Sequence, residues 1–163
     1  QSDDMWLYLP ALRRARRLAS TEKSGNFMGS EFTYADMTAL SMTDFDYRVM
    51  GRETIRGREC YVLEQVPSSN RLKREYGFDR REIAMLVDMP VIWRSIYYDA
   101  RGRQTRTLTI SEVEEIAEGY YRPMVMKMEN NQNGRFSELI TDQYQVPDTV
   151  SADYFTVRYL ENP

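Results

Sequence analysis

The stretch from Gly119 to Tyr144 most restricts what this chain can become. Met124, Met126 and Met128 alternate with Val125, Lys127 and Glu129, then Asn130, Asn131, Gln132, Asn133 and Gly134 follow, then a second run from Phe136 to Tyr144. Two strand-like runs around an Asn/Gly turn predict a β-hairpin. The side-chain period of a strand is two, so the three methionines share one face, and Val125, Lys127 and Glu129 take the other. Phe136, Ile140 and Tyr144 fall on one face of the return strand, interrupted by Glu138 and Asp142. Methionine is flexible and polarisable and fits varied apolar partners. The row reads either as an adaptable apolar wall or as an ordinary core face that uses Met.

The rest of the chain repeats this hairpin theme. Met5–Leu9 and Arg13–Leu18 predict a first hairpin across Pro10. Its arginines form a basic patch near an edge, read as a solvated edge or as a docking surface through Arg14 and Arg16. Ser20–Ser30 is a polar loop around Phe27 and Met28. Phe32–Leu40 is the best candidate for a helix, a short one that packing must hold. Tyr47–Ile55 and Arg58–Val66 form a hairpin around Arg56-Gly57, with Cys60 buried on the second arm. Pro67–Arg74 reads as a charged loop. Tyr76–Asp88, Val91–Tyr98 and Gln104–Val113 read as strands, with Gly102 placed for a positive φ. Arg106, Leu108 and Ile110 share one face of the last. Glu112–Glu118 continues that strand. Val146–Phe155 suggests a turn or one helical turn, and Phe155–Leu160 a short final strand.

Composition narrows the chemistry. With 163 residues, 42% hydrophobic and 29% charged, the chain can bury one core and reads as globular. A net charge of -3 argues against general nucleic-acid binding. The absence of histidine removes Ser-His-Asp and Cys-His catalysis and the commonest zinc and iron ligands, and one cysteine excludes an internal disulfide. No cofactor or metal is expected. Glu112, Glu114, Glu115 and Glu118 form the densest carboxylate cluster, without a convergent base and nucleophile, so no enzyme is expected. No run approaches membrane-spanning length. No signal peptide is recognisable, and the opening at Gln1 reads as a mature or trimmed chain.

A long antiparallel meander must curl, close or be covered on its apolar face. With one or two short helices for cover, it leaves a concave apolar face suited to an apolar ligand. Several strings resemble the outer-membrane lipoprotein-sorting (LolA-like) family of Gram-negative bacteria. They are Trp6–Arg13, Phe27–Asp36, Gly119–Met124 and Phe155–Arg158, and their order and spacing span nearly the whole chain. The chain looks like the C-terminal two-thirds of such a protein, a single domain over 1–163 without the first helix and first strands. The resemblance implies a mainly β (α+β) fold, a curled antiparallel sheet forming an incomplete β-barrel around a hydrophobic cavity, with short covering helices. It implies a periplasmic carrier of lipoprotein acyl chains or lipid, working with membrane components and an inner-membrane transporter, and no covalent chemistry. Carriers of this family hold a closed lid with a cavity arginine. The expected wall residues are Met124, Met126, Met128, Ile96, Tyr98, Leu108 and Ile110, with Phe27, Met28 and Phe32 as lid or rim. A one-residue slip in register would invert these faces. The rival expectation is an envelope sensor or transporter-associated adaptor that binds a protein partner.

Overall fold

The structure, a computed structural model, describes residues 5–161 apart from 146 and 148, so Val146 and Asp148 of the expected turn lie outside the described residues. Among the described residues, nine strands form two antiparallel sheets. The smaller is the ribbon of β1 (Trp6–Leu9) and β2 (Arg14–Arg17), joined by a 3₁₀ turn at Pro10–Leu12. The larger is a seven-stranded meander in chain order. Its strands are β3 (Phe45–Ile55), β4 (Arg58–Pro67), β5 (Arg80–Leu86), β6 (Ile92–Tyr98), β7 (Gln104–Ala117), β8 (Tyr120–Asn130) and β9 (Phe136–Ile140). The mainly β architecture matches the expectation from sequence.

The turns explain the order. Between β3 and β4, Arg56 and Gly57 both have positive φ, the requirement of a type I′ hairpin turn. Glu112–Ala117 extends β7 as the acidic run promised, and Gly119 at φ 74 then reverses the chain. At the far end, the Gly134 amide donates to the Asn130 carbonyl and closes the β8–β9 loop.

Three local expectations need correction. Phe32–Leu40 is not a helix; only Ala35–Met37 makes one 3₁₀ turn. The amides of Tyr34 and Ala35 donate to the carbonyls of Gly25 and Lys23, and Thr33 forms an isolated bridge with Asn26. With those two donors spent on the preceding loop, only the amides of Asp36, Met37 and Thr38 turn back on the segment, to the carbonyls of Thr33, Tyr34 and Ala35, enough for a single 3₁₀ turn.

The charged loop at Pro67–Arg74 holds helix α1 (Asn70–Tyr76). Ser69 accepts from the Leu72 amide at its start, and Gly77 ends it in the left-handed conformation. Leu72 and Tyr76, four residues apart, are buried, and the buried Glu75 carboxylate pairs with Lys23 and Arg71.

The final segment is helix α2 (Val157–Glu161), not a strand. Thr156 caps it, accepting from the Tyr159 amide through its hydroxyl and from the Leu160 amide through its carbonyl. Glu161 Oε1 accepts the Ala15 amide at 2.8 Å, so α2 clamps the β1–β2 ribbon.

Two clusters make the core. One gathers Phe45, Leu72, Tyr76, Phe78, Tyr97 and Met128 under Phe32 and Ala35. The other gathers Cys60, Leu86, Trp93 and Ile110 near the β3–β4 turn. Leu108 and Met126 pack against both, so the two are continuous. Cys60 is the buried strand residue expected, and burial pushes its thiol up. The Arg56 guanidinium stacks 4.1 Å from the Trp93 ring and donates to the carbonyls of Trp93 and Ile110. The Trp93 indole donates to the Ile55 carbonyl. The β3–β4 turn is thereby fastened to β6 and β7. Partial burial holds the Arg56 guanidinium below its ordinary value.

Gly77 tests the close approach of α1 to the loop below it. Its φ is 76, and an added Cβ would lie 2.9 Å from the Ser24 Cβ, whereas Gly102 at φ 74 has open space. Gly102→Ala should cost about 1 kcal/mol for the left-handed backbone. Gly77→Ala should exceed it by about 1–3 kcal/mol of overpacking. Urea unfolding of the two variants checks the difference.

Candidate functional site

The site is built on the sheet face that carries Tyr97, Leu108 and Met128. Residues directly opposite one another in paired strands share a face. One row crosses β6–β9 as Ser95, Leu108, Met128 and Ser137. The next, toward Asn130, crosses β4–β8 as Gln65, Arg81, Tyr97, Arg106 and Asn130. On the other side Ile110, Met126 and Leu139 stand in register. The floor is therefore apolar at its centre and polar along one flank.

The segment from Phe27 to Leu40 covers this floor. Phe32 and Ala35 are buried against Tyr97 and Met128, with Phe27, Met37 and Leu40 packed beside them. Between cover and floor lies an apolar pocket of about 200 Å³, reached by Phe32, Met37, Leu40, Leu108, Met126 and Met128. Arg81, Asp36 and Tyr97 border it.

Buried charges tie the cover to the floor. Arg106 Nη1 donates to Asp36 Oδ2 at 2.6 Å, and both side chains are about nine-tenths buried. Asp36 also accepts from the Thr33 amide at 2.7 Å, the Thr33 hydroxyl at 2.8 Å and the Tyr97 hydroxyl at 3.3 Å. The Arg106 guanidinium sits 4.5 Å from the Tyr97 ring centroid. Burial, and then the neighbouring Asp36 carboxylate, push the Tyr97 hydroxyl well above the ordinary tyrosine range, so it acts as a neutral donor. A second tie is Glu31. Its amide donates to Ser137 Oγ at 3.0 Å, and its carboxylate receives Asn130 Nδ2 at 3.1 Å and Arg135 Nε at 3.2 Å. The arrangement can enclose an apolar group and can open only by separating buried charges. The described residues hold no cluster of His, Cys, Asp or Glu able to bind a metal ion, and none of their helices is long and apolar enough to cross a membrane.

A family model described as "Uncharacterized protein" matches residues 1–162. A crystal structure from Vibrio parahaemolyticus, provisionally described as an outer membrane lipoprotein-sorting protein domain, superposes with a TM-score of 0.91 at 30% identity, covering 99% of this chain and 67% of that one. The chain belongs to the LolA-like lipoprotein-sorting family. A DUF1329 family protein from Desulfovibrio piger is also similar, with a TM-score of 0.88 at 30% identity over 98% of this chain and 65% of its own. A LolA superfamily protein from Nitrosomonas europaea shares the fold, with a TM-score of 0.72 at 20% identity over 96% and 67%. The LolA-like chain spans about two thirds of the length of each. None of the curated proteins compared matches it.

The residues expected from sequence divide by face. Leu108, Met126 and Met128 line the pocket of this LolA-like chain. Ile110 is buried on the same face, and Met124 is buried further along β8, in a hollow beside Trp93 and Val113. Ile96 and Tyr98 are a correction: both lie on the opposite face. Ile96 stands in register with Glu82 and Thr107, and Tyr98 stacks under Arg80 at 3.6 Å. The strand Ile92–Tyr98 is apolar at both parities, so alternation could not choose between them. Phe32 and Phe27 belong to the cover, but Met28 is 69% exposed and points away. Arg14 is exposed, whereas Arg16 is held by Glu22 at 2.9 Å. Sequence reasoning missed Asp36, Tyr97 and Arg81. Arg106 was on the expected face, but nothing local paired it with an acid 70 residues away.

Two substitutions check this geometry. Met128→Ala empties a fully buried position and should cost about 2–5 kcal/mol, whereas Ile96→Ala on the half-buried opposite face should cost clearly less. Asp36→Ala leaves Arg106 uncompensated and should cost about 3–5 kcal/mol. The Asp36→Leu/Arg106→Leu pair should cost less than the sum of the single changes. Chemical denaturation measures all of these, and faster amide exchange confined to residues 27–40 should accompany Asp36→Ala.

Proposed function

We propose that this LolA-like chain is a periplasmic carrier or binding protein that shields acyl chains of a lipoprotein or lipid, for transfer toward the outer membrane. The observation that carries the reading is the apolar pocket between the methionine-bearing floor and the 27–40 segment. Each buried methylene contributes about 0.8 kcal/mol, so a chain held there binds without any specific polar contact. Methionine suits a wall that meets chains of different length and kink. The relative described as a lipoprotein-sorting domain supports the same class of cargo.

The pocket as it stands is smaller than the roughly 300–1,000 Å³ typical of ligand sites. The 27–40 segment is then a lid, and Arg106 is the cavity arginine that holds it. Cargo enters by separating Arg106 from Asp36, and a partner such as an inner-membrane transporter shifts the same equilibrium. We read the sheet as curling into an incomplete barrel around this space. The register shifts along β3, β5, β6, β7 and β8 support that reading, because bulges bend and twist a sheet. The reach of Arg56 from the β3–β4 turn to the carbonyls of β6 and β7 supports it as well.

Native mass spectrometry with lipid extraction, on protein from a Gram-negative host, should show a co-purifying acylated species. Uptake of a fluorescent fatty-acid probe should fall by more than about tenfold, or 1.4 kcal/mol, in Met126→Asp. Unchanged uptake by a folded Met126→Asp variant would sink the carrier reading. An adaptor role is favoured by the exposed Arg14 and by Phe155, which is 81% exposed. A partner captured by the wild type and by Met126→Asp, but not by Arg14→Glu/Arg16→Glu, would move the function to that surface.

A further inference from the structure

Arg81 is the group that the carrier reading leaves unused. It lies on β5 with only 6% of its surface exposed, and it borders the apolar pocket. Among the described residues no carboxylate lies within ion-pair distance of it. Nη1 reaches the Tyr97 hydroxyl at 3.4 Å, and Nε is buried without an acceptor. Its cross-strand neighbour Gln65 is also buried and carries no charge; its amide nitrogen donates to the Tyr47 hydroxyl and its Oε1 has no partner. The rings of Tyr97 and Phe78 stand 5.5 and 5.7 Å from its Cζ. They soften the burial of a cation but do not neutralise it.

The local charge does not close. Among the described residues Asp36 is the one carboxylate bonded into the Arg81–Tyr97–Arg106 group, and Arg106 already takes it at 2.6 Å. Two guanidiniums therefore share one negative charge, and Arg106 Nη2 is likewise buried without a partner. A buried charge is normally paired, because desolvation is costly otherwise. An unpaired cation at the margin of an apolar pocket marks where an anion belongs.

We infer that the ligand is an anionic amphiphile, an acyl chain ending in an acid group, with the chain on Leu108, Met126 and Met128 and the acid group at Arg81. The inference rests on the carrier reading and narrows its cargo class. Chain burial supplies affinity, and the acid group sets orientation, head toward the Tyr97 row and tail toward Ile110. A neutral ester of the same chain keeps the first contribution and loses the second.

The test displaces a fluorescent apolar probe from the folded protein with laurate, methyl laurate and dodecyl phosphate. Laurate or dodecyl phosphate should bind about ten- to a hundredfold more tightly than methyl laurate, the scale of a buried charge-assisted hydrogen bond. Preference between the two acids distinguishes a fatty-acid carboxylate from a lipid phosphate. Arg81→Met should remove the preference for acid while leaving methyl laurate within about threefold, and Arg81→Lys should retain part of it. Equal binding of acids and ester by the wild type overturns the inference and leaves the carrier reading intact. Equal loss of all three in Arg81→Met makes Arg81 a wall residue and overturns it too. Failure of every ligand to bind the wild type overturns the carrier reading and, with it, this one.

Discussion

The contact between Arg106 and Asp36 sets the terms for everything above the sheet. A guanidinium on β7 and a carboxylate on an irregular segment meet where little water reaches, and each is tolerable there because of the other. Asp36 also gathers the Thr33 amide and hydroxyl, so one side chain both shapes the covering segment and fastens it. A segment without a helical ladder of its own gains its order from such anchors. The methionine floor then needs no polar chemistry, and its two core clusters merge through Leu108 and Met126.

Much of the sheet was legible in the sequence because strand alternation and turn chemistry agreed. Arg56-Gly57, Gly102 and the Asn130–Gly134 loop placed the reversals, and the methionine row placed one face of β8. Legibility failed where both parities are apolar, as in β6, and the face assigned to Ile96 and Tyr98 was inverted. It failed again for short elements. Helix α1 carries its signal in Ser69, Leu72, Tyr76 and Gly77, but five polar residues out of seven hid it. Phe32–Leu40 carried apolar residues at roughly helical spacing, yet the amides of Tyr34 and Ala35 are claimed by the carbonyls of Gly25 and Lys23, a pairing with a separate loop that helical periodicity does not register.

The same limit applies to the site. Sequence alternation put Arg106, Leu108 and Ile110 on one face, and the apolar members could be read from there. The pairing of Arg106 with Asp36, and the isolation of Arg81 beside them, are matters of register between strands far apart in the chain. Burial without compensation is a property of position, not of residue type, and composition cannot announce it.

The bond from the Ala15 amide to Glu161 has a bearing on how the molecule assembles. It joins residues 146 apart in sequence, and two-stranded ribbons like β1–β2 are marginal in water on their own. The two strands of the ribbon, made well before α2 during synthesis, must therefore wait for that helix. The meander, built wholly of neighbouring hairpins, can form in the meantime from contacts close in sequence. The ribbon is then the final piece to lock and the first to come loose, a seam along which the molecule can shed one piece while its sheet stays whole.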